Sequence, residues 1–334
     1  MKHLILSLII IHSFSCYSKY GVVLQEKKTN IISSIAHTNY LIKNDYRDLV
    51  PESIIFIIAD GTGIGQYTLS YYSNGPFAPA RFEHVGLVAT HPNQGDCDNS
   101  CKRVTDSAAS GTALSSGTKT YNGAIGVDID TLHVKTVLEW AEEKGMSTGL
   151  VATSTVTHAT PASFAAHIDY RKKEFEIAEQ YALKNIDVIL GGGKKYWPDS
   201  LITIYKERGG QFIDDINQEV DFNKRLLGLF ADSALPRAYE GRKPTTTEMA
   251  KLAISVLDSN PKGFFVMIEE SQVDWGGHAN SAEYIKGEMP HRWPGGGKLA
   301  TGSEEDGIRG DGYFNGYFKI ECDGLTDIKF LGQG

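Results

Sequence analysis

The chain has 334 residues, 41% hydrophobic and 22% charged, with a formal net charge of −8. That length is enough for one large domain or two smaller ones. An acidic balance with no long basic run argues against nucleic acid as a main partner.

Lys2 and His3 precede the apolar run LILSLIII and then Ser13-Phe14-Ser15-Cys16. The run is too short to span a bilayer, and small residues follow it at cleavage distance. It predicts an export signal over 1–15 and a periplasmic or cell-surface location; a buried strand or helix is the other reading. Cys16 directly after Ser15 raises a lipid anchor, although the residues before it make a poor lipobox. Residues 16–50 are mixed and polar and read as a lead-in.

The domain is expected over 51–289. In SIIFIIADGTGIG, Ser53 to Ala59 is an Ile-rich run bounded by Pro51 and Gly61. It reads as a strand buried on both faces, as in a parallel sheet. Asp60 follows at the strand's carboxyl end, where open α/β sheets gather functional groups; a helix cap is the plainer alternative. The glycines fail a dinucleotide fingerprint because Gln66 stands at the third position. No Gly-Lys-Ser/Thr follows, so a phosphate-binding P-loop fails too.

A helix-like segment near Tyr67 and a short strand around Gly86 to Thr90 come next. Cys97 and Cys101, in GDCDNSCKR, could close a small disulfide loop in an exported protein. A zinc knuckle would need two more ligands nearby. Cys322 has no obvious partner.

In VTDSAASGTA, Asp106 or Ser107 is expected to cap a helix of small residues. A hydroxyl there sits where free backbone N–H groups and the helix dipole favour negative charge. That suits a serine nucleophile or phosphoryl carrier, and equally a tightly packed capped helix.

His133 to Lys144 has helical period, with Gly145 as its stop. Ser147 to Ala152 reads as a strand opening into TSTVTHATPASFAAH, in which Thr160 precedes Pro161 as a first helical residue. Arg171 follows. Residues 172–184 read as helix, Asp187 to Leu190 as strand, Gly191 to Gly193 as loop, and Trp197 to Gly241 as a cover over one sheet edge. Thr245 and Glu248 form a capping box for a helix reaching Asp258. Gly263 to Ile268 is a further buried strand ending in Glu269 and Glu270. The alternation predicts an α/β fold: a mostly parallel central sheet with helices on both faces.

Strand ends thus deliver Asp60, Thr160 and Glu269, hard oxygen donors that suit magnesium. Asp274 and His278, four apart, can share one helix face, and a carboxylate with an imidazole suits zinc.

Taken together, IIFIIADGTG, VTDSAASGTA, THATPASFAAH and MIEESQVDWGGH resemble the motifs of alkaline phosphatases, in the family's order and spacing, from about residue 52 to 289. The resemblance implies hydrolysis of small phosphate monoesters through a phosphoserine on Ser107. Arg171 would grip two phosphate oxygens. Two zinc ions and one magnesium are implied as cofactors. Asp60 would bridge magnesium and a zinc, Thr160 and Glu269 would complete the magnesium set, and His158 would reach it through water. Asp274 and His278 would hold the zinc on the leaving-group side, and Trp275 would tune phosphate affinity. A homodimer is implied as well. A related phosphodiesterase or sulfatase, or a non-catalytic phosphate- and metal-binding remnant, are the rival readings.

The family continues with an Asp-His-Glu-Thr-Gly-Gly motif and a later histidine, which supply further zinc ligands. Here the chain after Met289 runs PHRWPGGGKLATGSEEDG instead. The last 45 residues hold 11 glycines, against 24 in the preceding 289. A frame shift or gene-model error near Met289, an incomplete fold and a poorly ordered 290–334 tail are therefore expected, with weak or absent turnover.

Overall fold

The computed structural model describes residues 3–8, 53–74, 86, 88–93, 104–289, 308–309 and 321–322. Cys16, Cys97, Cys101, the lead-in and nearly all of the tail lie outside them. The strands are β1 (His3–Leu8), β2 (Ser53–Ala59), β3 (Ser147–Thr155), β4 (Val188–Gly192), β5 (Gly210–Ile213), β6 (Arg225–Leu229) and β7 (Phe264–Glu270). They form one sheet in the order β1-β2-β7-β3-β4-β6-β5, and every pairing is parallel. A separate antiparallel pair, β8 (Ile308–Arg309) and β9 (Glu321–Cys322), lies in the tail.

The helices are α1 (Ile64–Asn74), α2 (Ser107–Ser116), α3 (Val137–Glu143), α4 (Ala159–Ala165), α5 (Glu174–Leu183), α6 (Asp199–Glu207), α7 (Thr246–Leu257), α8 (Gln272–His278) and α9 (Ala282–Glu288). Successive strand side chains point to opposite faces, so the sheet builds two cores. Phe56, Ile58, Leu150, Phe265 and Met267 pack on one face with residues from α2 to α6. Ile55, Ile57, Val151, Val266 and Ile268 pack on the other with α7, α8 and α9. The α/β expectation holds, with helices on both faces.

Several local expectations change. The N-terminal apolar run contributes edge strand β1, in register with β2 from His3 opposite Ser53 to Leu8 opposite Ile58. Its backbone covers the edge that β2 would otherwise leave open. Residues 88–90, expected in a strand, are irregular. The helix expected from His133 starts at Val137, because Thr136 and Glu139 form a capping box there. Trp197 to Gly241 does more than cover an edge: it supplies α6, β5 and β6. Gly191 and Gly192, expected in a loop, extend β4.

The carboxyl ends of β2 and β7 lie side by side, with Ala59 opposite Glu270 and Ile58 opposite Glu269. The small residues of α2 let it lie close to α4: a Cβ on Gly111 would meet Ser163 Oγ at 2.8 Å. The helix that carries Ser107 is thereby wedged against the sheet's functional end.

Candidate active site

Asp60 follows β2 and is 2% exposed. Its Oδ1 accepts from the Gly61 N–H at 3.0 Å, and its Oδ2 accepts from Ser107 Oγ at 2.8 Å. Ser107 is the first residue of α2, and Asp106 is the cap, accepting from the Ala109 N–H at 2.9 Å. Of the two cap candidates the structure selects Asp106. This leaves the Ser107 hydroxyl at the helix's positive end, aimed at a buried acid.

The other oxygen of Asp106 holds Arg171: Nη1 donates to Asp106 Oδ2 at 3.0 Å. Arg171 Nη2 lies 3.3 Å from His158 Nε2. A guanidinium is thus fixed beside the serine while one-fifth of its surface stays open. His158 is pushed down to about 3 by burial and then by the Arg171 charge, so its imidazole is neutral. Its ring meets Trp275 edge-on at 5.9 Å.

Glu269 lies within β7 and is fully buried. Burial, then the Asp60 charge, pushes its carboxyl up to about 8. Asp274 on α8 is pushed up to about 6 by the same two causes. Gly61 has φ +62°, and a Cβ there would meet Asp274 Oδ1 at 2.4 Å. The turn after β2 is therefore glycine so that Asp274 can close on Asp60. His278 Nε2 is 3.5 Å from Asp274 Oδ2, one helical turn on, with most of its side chain exposed.

Asp60 thus opposes the ionisation of both Glu269 and Asp274, and a cation beside them would relieve that opposition. Thr160 Oγ1 lies close enough to Glu269 to favour its ionised form slightly, but neither Thr160 Oγ1 nor Glu269 Oε1 has a well-aligned hydrogen bond among the described residues. Buried oxygens left that way fit a hard cation. Of the oxygens expected for magnesium, Thr160 and Asp60 both lie near enough to Glu269 to shift its carboxyl. Thr160 does not come from a strand end, however. It is the second residue of α4, which begins at Ala159, two residues ahead of Pro161, because the turn after β3 is brief.

The zinc sets are thinner. Asp274 and His278 share a face of α8, as their spacing predicts. Among the described residues, no three His, Cys, Asp or Glu side chains form a cage on their own.

The family model described as Alkaline phosphatase matches residues 52–290, well over half the chain. The chain belongs to the alkaline phosphatase family. It is 42% identical over 259 residues to alkaline phosphatase 3 of Bacillus subtilis, covering 71% of this chain and 54% of that protein. It is 32% identical over 302 residues to the Escherichia coli alkaline phosphatase, covering 71% and 64%. The alkaline phosphatase of the Antarctic bacterium TAB5 superposes with a TM-score of 0.66 at 37% identity, covering 72% of each chain. A variant of that enzyme, with Mg bound in the M3 site, gives a TM-score of 0.65 at 37% identity, covering 72% of this chain and 70% of its own. The chain spans about half the length of the Bacillus relatives it matches.

Three supports of this alkaline phosphatase-family site escaped the sequence. Asp106 was legible as a cap but not as the holder of Arg171. Glu270, adjacent to Glu269, faces away from the site and pairs with buried Arg242 at 2.6 Å, while Glu288 of α9 holds the other guanidinium nitrogen. Glu174 of α5 accepts from Thr155 Oγ1 at 2.6 Å and Thr157 Oγ1 at 2.7 Å, bracing the turn before His158.

Proposed function

We propose that this chain hydrolyses phosphate monoesters through a phosphoserine on Ser107. The observation that carries this reading is the Ser107 Oγ–Asp60 Oδ2 hydrogen bond, with Arg171 fixed alongside by Asp106. Arg171 would bind two phosphoryl oxygens through its fork of N–H donors. Ser107 Oγ would then attack phosphorus, its proton facing the Asp60 carboxylate, and the bond to the ester oxygen would break to release an alcohol. Water would attack the phosphoserine in turn, freeing phosphate and restoring the hydroxyl. The N-terminal end of α2 favours the negative charge that gathers at Ser107.

Asp60, Thr160 and Glu269 would hold magnesium, with His158 nearby, and Asp274 and His278 would hold one zinc. When bound, such cations supply charge to stabilise the attacking and leaving oxygens of an in-line displacement. The motif expected to supply further zinc ligands is not found after Met289. A second reading is a remnant that binds phosphate and metal with little turnover. Export, lipid attachment at Cys16 and a homodimer belong to the same proposal, resting on the N-terminal run and on the family.

The test is hydrolysis of an aryl phosphate, an aryl phosphodiester and an aryl sulfate with zinc and magnesium added. Monoester turnover abolished by Ser107→Ala supports the first reading. Phosphate binding without turnover supports the remnant, and preference for the diester or sulfate contradicts both.

A further inference from the structure

Ser271, the first residue after β7, is fully buried directly behind Glu269. Its N–H donates to Thr153 Oγ1 at 2.9 Å, and its Oγ accepts from the Ser154 N–H at 3.1 Å. The same oxygen lies 2.6 Å from Glu269 Oε2 and 2.9 Å from Ser154 Oγ. Ser154 Oγ has its own acceptor, the Thr155 carbonyl, at 3.1 Å. Ser271 has one hydroxyl proton, and a bond to a carboxylate is the stronger use of it. Glu269 Oε2 is therefore committed to Ser271. Oε1 is left facing the side where Thr160 Oγ1 also lacks an aligned partner.

We propose that Ser271 is a positioning residue that makes Glu269 a one-oxygen ligand, and that this sets the preference of the site for magnesium over calcium. The inference rests on the reading of Glu269 and Thr160 as cation ligands. Magnesium takes few carboxylate oxygens in a tight octahedron and keeps water. Calcium accepts more oxygens and often takes both from one carboxylate. A carboxylate with one oxygen tied to a buried hydroxyl cannot turn to offer both. Thr153 holds the Ser271 backbone and Ser154 holds its hydroxyl, and together they keep Ser271 from following a larger ion.

The experiment is calorimetric titration of the full chain, stripped with chelator, with magnesium chloride alone and calcium chloride alone. Ser271→Ala and Ser271→Cys are titrated in parallel. Alanine leaves the Ser154 N–H without its acceptor. Cysteine keeps nearly the same volume with a weak donor, and so carries the test if the alanine variant does not fold. The expected result is a magnesium preference in the parent chain and a fall of about 10-fold or more in the magnesium-to-calcium affinity ratio in the variants. Equal losses for both ions, with an unchanged ratio, would show a merely structural role and overturn the inference while leaving the cation site standing. A parent chain that binds neither ion would overturn the cation site and this inference together.

Discussion

Ser107 Oγ donates to Asp60 Oδ2 at 2.8 Å, joining the first turn of α2 to the end of β2 across 47 positions of sequence. Neither residue is reactive on its own. The strand fixes the acid, the cap residue Asp106 fixes the helix, and the hydroxyl is left with one direction to point. Ser107→Ala is expected to lower monoester turnover on the order of 10³-fold or more while the folded protein still binds phosphate through Arg171. Steady-state rates beside equilibrium phosphate binding check this.

Asp106 does two things at once, and two substitutions separate them. Asp106→Asn keeps a capping oxygen but loses the ion pair with Arg171. Asp106→Ala loses both. The alanine variant is expected to be less stable by about 1 kcal/mol. Both variants are expected to bind phosphate more weakly, as read by titration with inorganic phosphate. A phosphate affinity unchanged in both would show that Arg171 needs no holder.

Gly61 has a left-handed backbone, and a Cβ there would sit 2.4 Å from Asp274 Oδ1. Gly61→Ala is expected to cost about 1–2 kcal/mol from backbone conformation alone, with a further loss from displacing Asp274. Thermal melting measures the first effect. Loss of zinc-dependent stabilisation measures the second.

In metal-free protein the acids should make stability fall with rising pH. Glu269 is raised from 4.5 to about 8 and Asp274 from 3.8 to about 6, each by burial and then by the Asp60 charge. Groups raised in the fold contribute stability that is fully present below their unfolded values and lost as pH rises through the folded ones. His158, lowered from 6.5 to about 3 by burial and the Arg171 charge, opposes this only on the acid side. Chelator-stripped protein is therefore expected to melt higher near about pH 6 than near about pH 8.5, and added magnesium and zinc should restore the alkaline loss. A melting temperature that rises with pH in the stripped protein would contradict the clustered-acid geometry.

Arg242 is 4% exposed and pairs with Glu270 and Glu288, tying β7 to α9 behind the site. Arg242→Met leaves buried Glu288 and half-buried Glu270 without a counter-charge, and a cost of about 3–5 kcal/mol is expected. Burial, then the Glu270 charge, raises Glu288 to about 7, so it takes up a proton readily. The cost should therefore shrink as pH falls. Denaturant titrations at two pH values check both the size and the sign.

Much of this fold was legible from pattern. The Ile-rich run before Asp60 and the apolar run before Glu269 could only be strands covered on both sides, and both are interior strands of the sheet. The Thr245–Glu248 capping box announced α7 to within a residue. What pattern could not show was which polar residue faces which. Glu269 and Glu270 are neighbours in sequence but point to opposite faces of β7, so one reaches the site and the other reaches Arg242. Thr160 was expected at a strand end and lies instead one residue into α4, because the turn after β3 takes up only three residues. The contribution of Trp197 to Gly241 to the sheet was hidden because β5 and β6 are short, and β5 has only one fully buried residue, Ile213.

The chemistry proposed for the site turns on a covalent bond to one hydroxyl. The direct measurement is incubation of the full chain, loaded with zinc and magnesium, with radiolabelled inorganic phosphate at mildly acidic pH, followed by acid quenching and peptide mapping. The predicted result is label on the peptide containing Ser107, absent from Ser107→Ala. A folded, metal-loaded chain carrying no label, or label on any other residue, would contradict it.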